Sequence, residues 1–352
     1  DILDESVSTD PGVIVPNRQP RITNVNYKLA IIGEAPGADE VHQGIPFVGF
    51  SGQQLDRFLS RFGVLRDACF IGNICQHRPI ANRIAAFDWT GPEIQQGLLR
   101  LASDLDKFQP NCVLLLGGSA LHAFKDPTTI PRKKRTPDGM TFVYSSSISD
   151  WRGSFFRSSM AAPKPEVKCI ASYHPAACLR QYEWTPLLML DIKRAFDAAR
   201  SPEIVHPLRT LLVGLSFEET VHELDKLIGT RLPIGTDIEG YWNCISCISF
   251  APAPNYSFIV PFTKLNGESY WSLDEEVIIL RKVSQILGDP HLPKIWQNGL
   301  YDRFCLQYGL RMITRCSTED IMLKHWELYC ELPKSLATQA SIYTDEPFWK
   351  YE

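Results

Sequence analysis

The sequence predicts an α/β protein of two domains, and three observations predict it. Apolar strand-like runs alternate with amphipathic helical segments in both halves of the chain, the pattern of α/β architecture. At 352 residues the chain is long for one core and sufficient for two. A helical pattern breaks at "ARSPEIVHPL", residues 199–208, where two prolines interrupt it.

The elements follow in order. Residues 1–24 are acidic, polar and Pro-rich, and are expected to be a flexible leader. "KLAIIGEAPG" (28–37) is a buried strand entering a turn, and "SGQQLDRFLSRFGV" (51–64) is a helix with Leu55, Phe58, Leu59 and Phe62 on one face. "CFIGNICQHRP" (69–79) is the next strand, and "PEIQQGLLRLASDLDKFQP" (92–110) is a helix. "NCVLLLGGSALHAF" (111–124) is strand, glycine turn and helix, and "EVKCIASYHPAACLR" (166–180) is a strand running into a turn. Residues 126–166 read as irregular, with a hairpin around "PDGM". The "PRKKR" before that turn is a phosphate-contacting patch, a localisation signal or a solvated loop. Beyond the break come "SFEETVHELDKLIG" (helix), "LPIGTDIEG", "CISCISFAP" and "YSFIVPF" (strands), "DEEVIILRKVSQILG" (helix) and "KIWQNGLYDRFCLQYG" (strand into helix). The expected domains are 25–200 and 208–352, joined by a linker at 201–207.

Hydrophobic content of 44% and charge of 22% describe an ordinary globular chain. The apolar runs are too short to cross a bilayer, so no membrane partner is expected. The N-terminal stretch does not resemble a secretory signal, which points to the interior of a cell. In that setting the ten cysteines read as free thiols rather than a disulfide framework. Cys244 and Cys247 alone have metal-like spacing, and their strand-like context also suits plain packing. Residues 1–203 hold 23 Lys and Arg against 21 Asp and Glu, leaving 13 against 19 for the rest, so no global basic field announces nucleic acid. Any such binding must use local patches.

One group of residues carries chemistry in the first half. Gly33 and Gly37 let the backbone turn sharply near a ligand, and Pro36 stiffens the loop. Phe47 could stack on a flat ring. Asn73, at a strand end, offers donors and an acceptor to a ring edge that displays C=O beside N–H. His174 can donate to an oxygen that gains negative charge. In a doubly wound sheet the strand C-termini converge on one crevice, where Glu34, Phe47, Asn73 and His174 can meet.

In order and spacing, "GEAPGADEVHQGIPFVGFSG", "IGNICQHRP", "LLLGGSAL" and "SYHPAACLR" resemble the motifs of the family 4 uracil-DNA glycosylases over roughly residues 28–198. The resemblance implies a three-layer α/β/α domain that flips uracil out of DNA, an extrusion least costly from single strands. Phe47 would stack on uracil, Asn73 would read its polar edge, and His174 would stabilise the uracil anion. Gly33, Ala35, Pro36 and Gly37 would wall the pocket. Glu34 and Glu40 match acids of the first motif, positioning water or the sugar. Pro175, Leu179 and Arg180 would enter the DNA groove and fill the space the base leaves. Ala35 stands where some other glycosylase families place a water-activating Asp, so a dissociative cleavage with late water capture is expected. The family usually carries an iron–sulfur cluster on four cysteines. Here the leader has no Cys, Cys75 alone matches, and Gly97 lies near the fourth position. One thiolate cannot hold such a cluster, and none is expected.

In the second half, "TDIEG" places Asp237 and Glu239 two apart on a strand, hence on one face. Asp302, a turn into the helix after Asn298, could bridge to the same Mg²⁺ or Mn²⁺ ions, and a pair of such ions can cleave a phosphodiester. A D-x-E on a strand also arises by chance. "DIE", then "QNGLYD", then "TEDIMLKHWELYCELPKSLATQASIYTDEPFWK" resemble the 3′–5′ proofreading exonuclease domain of family A DNA polymerases, especially phage and organellar ones, over residues 208–352. This implies an RNase H-like, DnaQ-like fold with Asp237, Glu239 and Asp302 as metal-binding catalytic acids, Asn298 on DNA, and Asp320 packed beside the site. The family's third motif and polymerase domain do not follow, so the domain is expected to be truncated. The combined expectation is a glycosylase fused to the proofreading part of a phage-type replicative polymerase. It would act on uracil-containing DNA, preferentially single-stranded, with replisome partners, in the cytoplasm of an infected bacterium. The alternative is a non-catalytic module that senses uracil or grips single-stranded DNA.

Overall fold

The computed structural model describes residues 13–137, 139–160, 166–205, 207–241, 244–317, 319–346 and 348. Two compact units emerge. The first runs to Val205 and takes in the segment from Ala337 onward; the second is His206–Leu336.

The first unit contains β1 (Leu29–Gly33), α1 (Ala38–Gln43), α2 (Phe50–Arg61), β2 (Phe70–Asn73), α3 (Pro92–Phe108), β3 (Cys112–Leu116), α4 (Gly118–Lys125), β4 (Arg132–Thr136), β5 (Gly139–Val143), α5 (Ile148–Trp151), β6 (Phe155–Arg157), β7 (Lys168–Ser172), α6 (Pro175–Cys178) and α7 (Thr185–Ala198). Its sheet has the order β2-β1-β3-β7-β6. The first four strands are mutually parallel, and β6 runs antiparallel along the edge. Every residue of β1, β3 and β7 is buried. Strands covered on both faces read as continuous apolar runs, which is why these three were legible. Ile94, Leu101 and Leu105 of α3 join Leu121 and Phe124 of α4 against Ala30, Ile32, Val113 and Leu115 of the sheet. Helix α7 packs on β3 and β7, completing the three layers.

Both ends of this domain are tied to it. In the Pro-rich stretch before β1, Val15 is buried, its N–H reaches the Gln76 carbonyl at 2.9 Å, and Arg18 bridges Ile71 while pairing with Asp67. Residues 1–12 lie outside the described residues. The segment after Ala337, expected in the second domain, clusters with the first. There Ser341 accepts from Arg152 at 2.8 Å and Asp345 pairs with Arg194 at 2.7 Å. The region read as irregular holds the β4–β5 hairpin, α5 and β6.

The second unit contains β8 (Thr210–Leu212), α8 (Phe217–Leu227), β9 (Ile234–Tyr241), β10 (Cys244–Ala253), β11 (Tyr256–Pro261), α9 (Leu273–Gly288), β12 (Lys294–Trp296), α10 (Gly299–Gly309), β13 (Glu319–Asp320) and α11 (Ile321–Leu328); α12 (Leu336–Tyr343) closes the chain order. Helices α8 and α9 both open on capping boxes, Ser216 with Glu219 and Ser272 with Glu275. The mixed sheet has the order β13-β12-β9-β10-β11-β8, an antiparallel β9-β10-β11 core flanked by parallel strands. Cys244 and Cys247 sit on β10 as free thiols, one exposed and one half-buried.

Candidate functional site

The parallel strands of the first sheet end at one crevice. Glu34 follows β1, Asn73 ends β2, Gly117 follows β3 and His174 follows β7. All four line a cavity of about 380 Å³, with Ala35, Pro36, Gly37, Glu40, Phe47 and Arg180 among the other walls. That volume is at the small end of ligand sites.

Glycines make the crevice possible. A Cβ on Gly33 would lie 2.4 Å from the Phe47 ring and 2.6 Å from the Asn73 amide oxygen. Phe47 has φ 57°, an unusual backbone for an aromatic residue, and its carbonyl lies against Gly52 of α2. Arg66 holds the loop from outside, donating to the Pro46 carbonyl at 2.7 Å. The Phe47 ring then stacks near the His174 imidazole, with centroids 5.7 Å apart and planes 30° apart. Asn73 is fixed through its backbone. Its N–H reaches Asn17 Oδ1 at 3.3 Å and its carbonyl accepts from Gln76 at 2.7 Å, while the side chain lines the cavity.

His174 opens the short helix α6, and its Nδ1 accepts from the Ala176 N–H at 3.2 Å. Burial, reinforced by the nearby Arg180 charge, holds the imidazole down at about 4. The ring is therefore neutral near pH 7. With Nδ1 accepting, its one proton sits on Nε2, which is left as a donor for a ligand. Tyr173 stacks on Trp184 at 4.2 Å and steadies the strand exit.

The two acids of the first motif differ in task. Glu40 accepts backbone N–H bonds from Gly37 (2.9 Å), Val48 (3.1 Å) and Gly49 (3.0 Å), so its carboxylate organises the two turns around Phe47. Glu34 faces the cavity, and burial raises its carboxyl against the opposing effect of a hydrogen bond from Ser119. Ser119 is in turn 2.5 Å from the Tyr144 hydroxyl. Ser119, Tyr144 and the supporting Asn17 were not singled out from sequence. A Ser in the first turn of a helix reads as a cap, and 25 residues separate it from Tyr144. Leu179 is 56% exposed beyond α6, Pro175 is buried in it, and Arg180 is exposed yet lines the cavity.

The residues near the family's cluster position do not fit such a cluster. The Cys75 thiol is buried, pushed up to about 11 by that burial, and donates to the His77 carbonyl at 3.4 Å. A Cβ on Gly97 would come within 2.5 Å of the Ile74 carbonyl and 3.1 Å of Cys75 Cα, so α3 lies directly on this strand exit. The Ile14–His77 bridge covers the same region.

In the second unit Asp237 and Glu239 are both on the exposed face of β9, as period two requires. Asp302 is buried on α10 and accepts from the Ile238 N–H at 3.3 Å. Burial, and then the neighbouring Asp237, push its carboxyl up to about 6. Burial and Glu239 likewise raise Asp237. Among the described residues, however, no three metal-ligating side chains come together as a coordination shell. Asp302 is turned to the strand backbone, with Asp237 as its charged neighbour, while Asp237 and Glu239 lie on the exposed face of β9. Asp320 caps α11, accepting from Met322 at 2.9 Å, and also binds the Gly299 N–H at 2.9 Å. Asn298 is exposed in a left-handed conformation, φ 59°, at the start of α10.

No helix among the described residues is long and apolar enough to cross a membrane. Solved structures similar to the chain include the Aedes aegypti Nibbler EXO domain (14% identity, 40% of this chain and 72% of that one, TM-score 0.30) and Escherichia coli RNase D (13%, 41% and 36%, TM-score 0.30). Type-4 uracil-DNA glycosylases are similar to part of the chain. The Pyrobaculum aerophilum protein is 32% identical over 165 residues, covering 47% of this chain and 74% of its own length. The Archaeoglobus fulgidus protein is 30% identical over 169 residues, covering 46% and 72%. Residues 20–196, the span that contains every wall of the cavity, match the Uracil DNA glycosylase superfamily model, and the chain belongs to that superfamily.

Proposed function

We propose that the first unit excises uracil from DNA by hydrolysing its N-glycosidic bond. The observation that carries the reading is the neutral His174, with Nδ1 occupied and Nε2 left to donate, set beside the Phe47 ring and the Asn73 amide. Uracil stacks on Phe47 and offers its C=O and N–H edge to Asn73. As the C1′–N1 bond breaks, its electron pair moves onto the uracil ring, and the Nε2–H of His174 donates to the oxygen that gains charge. Water then adds to the sugar carbon, and its proton leaves to the uracil anion or to solvent. Glu34, held by the Ser119 hydroxyl that Tyr144 in turn steadies, orients that water. None of these steps uses a metal.

A 5′-labelled single-stranded oligonucleotide with one central uracil, incubated in EDTA and then treated with alkali, tests this. Breakage only at the uracil is expected. An intact strand that still binds better than its thymine twin would make the unit a uracil sensor, and equal binding to both would overturn the uracil reading.

For the second unit we propose a 3′–5′ exonuclease-type module of a phage-type replicative polymerase, acting on DNA in an infected bacterial cell. What supports it is the juxtaposition of Asp237 and Asp302, whose mutual repulsion a hard divalent cation relieves. A carboxyl raised to about 6 contributes stability that is complete below its unfolded value of about 3.9 and lost as pH rises through the folded value. Asp302→Asn is therefore expected to raise the unit's melting temperature at neutral pH and to leave it nearly unchanged under acid conditions where both forms are uncharged. Equal melting at neutral pH would remove the repulsion, and with it this support.

A further inference from the structure

We propose that the β4–β5 hairpin is a phosphate-binding arm that holds the DNA strand leading to the uracil pocket; this extends the function proposed above and rests on it. Four consecutive cations, Arg132, Lys133, Lys134 and Arg135, form nearly all of β4, and all four are exposed. Their cross-strand partners are Val143, Phe142, Thr141 and Met140, which are neutral. Among the described residues none of the four has a carboxylate within ion-pair distance. Lys133 is partly offset by Asp88 and lies over the Phe142 ring at 5.6 Å, which leaves Arg132, Lys134 and Arg135 as like charges that repel one another. Polyanion phosphates, with release of their counterions, relieve that repulsion.

The arm is held in place rather than trailing. Phe142 is buried and meets Trp89 edge-on at 5.5 Å, and Tyr144, just past the hairpin, reaches the Ser119 hydroxyl. It is also continuous with the pocket rim. Arg83 lies against Gly139 at the hairpin turn, where a Cβ would come within 2.0 Å of its guanidinium. Pro79 and Asn82 line the cavity, and Arg78 donates to Asn82 Oδ1 at 2.9 Å. Ala81 and Asn82 are both left-handed, φ 53° and 54°, a strained turn of the kind retained where geometry matters. Cations thus continue from the rim (Arg78, Arg83) to the arm, with Arg180 on the cavity wall. From Arg132 to Arg135 a strand extends about 10 Å, enough for two or three phosphates.

The test uses the full chain with Arg132, Lys133, Lys134 and Arg135 all changed to Gln, and Lys134→Glu alone as a second variant that leaves Phe142 and its packing untouched. Anisotropy of a labelled, uracil-free single strand is read across a salt series. The quadruple variant is expected to flatten the slope of log affinity against log salt by roughly 1.5 to 2, at about 0.7 for each phosphate no longer neutralised. Lys134→Glu should flatten it by more than a single phosphate's share. Release of uracil from a trinucleotide too short to reach the arm should be unchanged, while kcat/KM on a long strand falls with affinity. Slopes equal to the parent's in both variants overturn the arm. A parent that binds long strands through the arm but never releases uracil would instead leave the arm standing and sink the glycosylase reading.

Discussion

His174→Ala is expected to slow uracil release by roughly 10²- to 10³-fold, the scale of losing one preorganised donor to a developing oxyanion. Binding of a uracil-containing strand should persist, because Phe47 stacking and the Asn73 amide remain. A loss of binding as large as the loss of rate would mean that the imidazole holds the ground state and not the departing anion. The pH profile supplies an independent reading. Burial first, and the Arg180 charge second, put the folded imidazole at about 4, below the ordinary histidine value of about 6.5. A depressed histidine stays neutral as pH falls through its unfolded value. The plateau in kcat/KM should therefore extend well into the acid range and decline only as pH approaches the folded value. For the same reason His174 contributes stability that is present above the unfolded value and lost as pH falls toward the folded one. Arg180→Gln removes the second cause and should move the acid limb of the profile upward. An acid limb near the ordinary histidine value in the parent would show that the ring is not desolvated as described.

Much of the site is legible in the sequence, for a definable reason. Residues at the C-terminal ends of parallel strands must converge, so Glu34, Asn73 and His174 could be brought together by topology alone. The glycines of "GEAPG" announce a close approach, and Gly33 meets both Phe47 and Asn73. What the sequence hides depends on residues far apart in the chain. The Tyr144–Ser119–Glu34 chain joins three elements with no spacing rule between them. Asn17 lies in a Pro-rich stretch that composition marks as loop, yet its amide reaches Asp104 at 3.0 Å and its oxygen supports Asn73. Period two puts Asp237 and Glu239 on one face of β9. The bond from the Ile238 N–H to Asp302 is hidden in the sequence, because spacing does not say which backbone N–H a carboxylate meets. The affiliation of the chain's last described residues is hidden for a similar reason. It depends on Arg152 and Arg194, 189 and 147 residues away from Ser341.

That same Arg152 carries the largest stability effect expected in the molecule. Arg152 is 2% exposed and Asp191 fully buried, and they form a two-bond pair at 3.0 and 2.5 Å. Ser172, at the end of β7 and two residues before His174, adds a hydrogen bond to Asp191 at 2.6 Å. Asp191→Leu strips the guanidinium of its counterion in a site water does not reach, and is expected to cost about 3–5 kcal/mol. Arg152→Met alone leaves the opposite charge unpaired and should cost a similar amount. The double variant Arg152→Met, Asp191→Leu removes both charges and should recover most of the loss, since an apolar pair of similar volume is often as stable as a buried ion pair. Denaturant unfolding of all four proteins closes the cycle. Single losses that simply add in the double variant would show that the two side chains act independently, and the pair would then not be what fastens Ser341 and the strand exit beneath His174. If the cycle shows strong coupling, uracil release measured well below the melting point separates support from chemistry. The double variant should retain the His174 pH profile of the parent, because the pair positions the loop and does not touch the base.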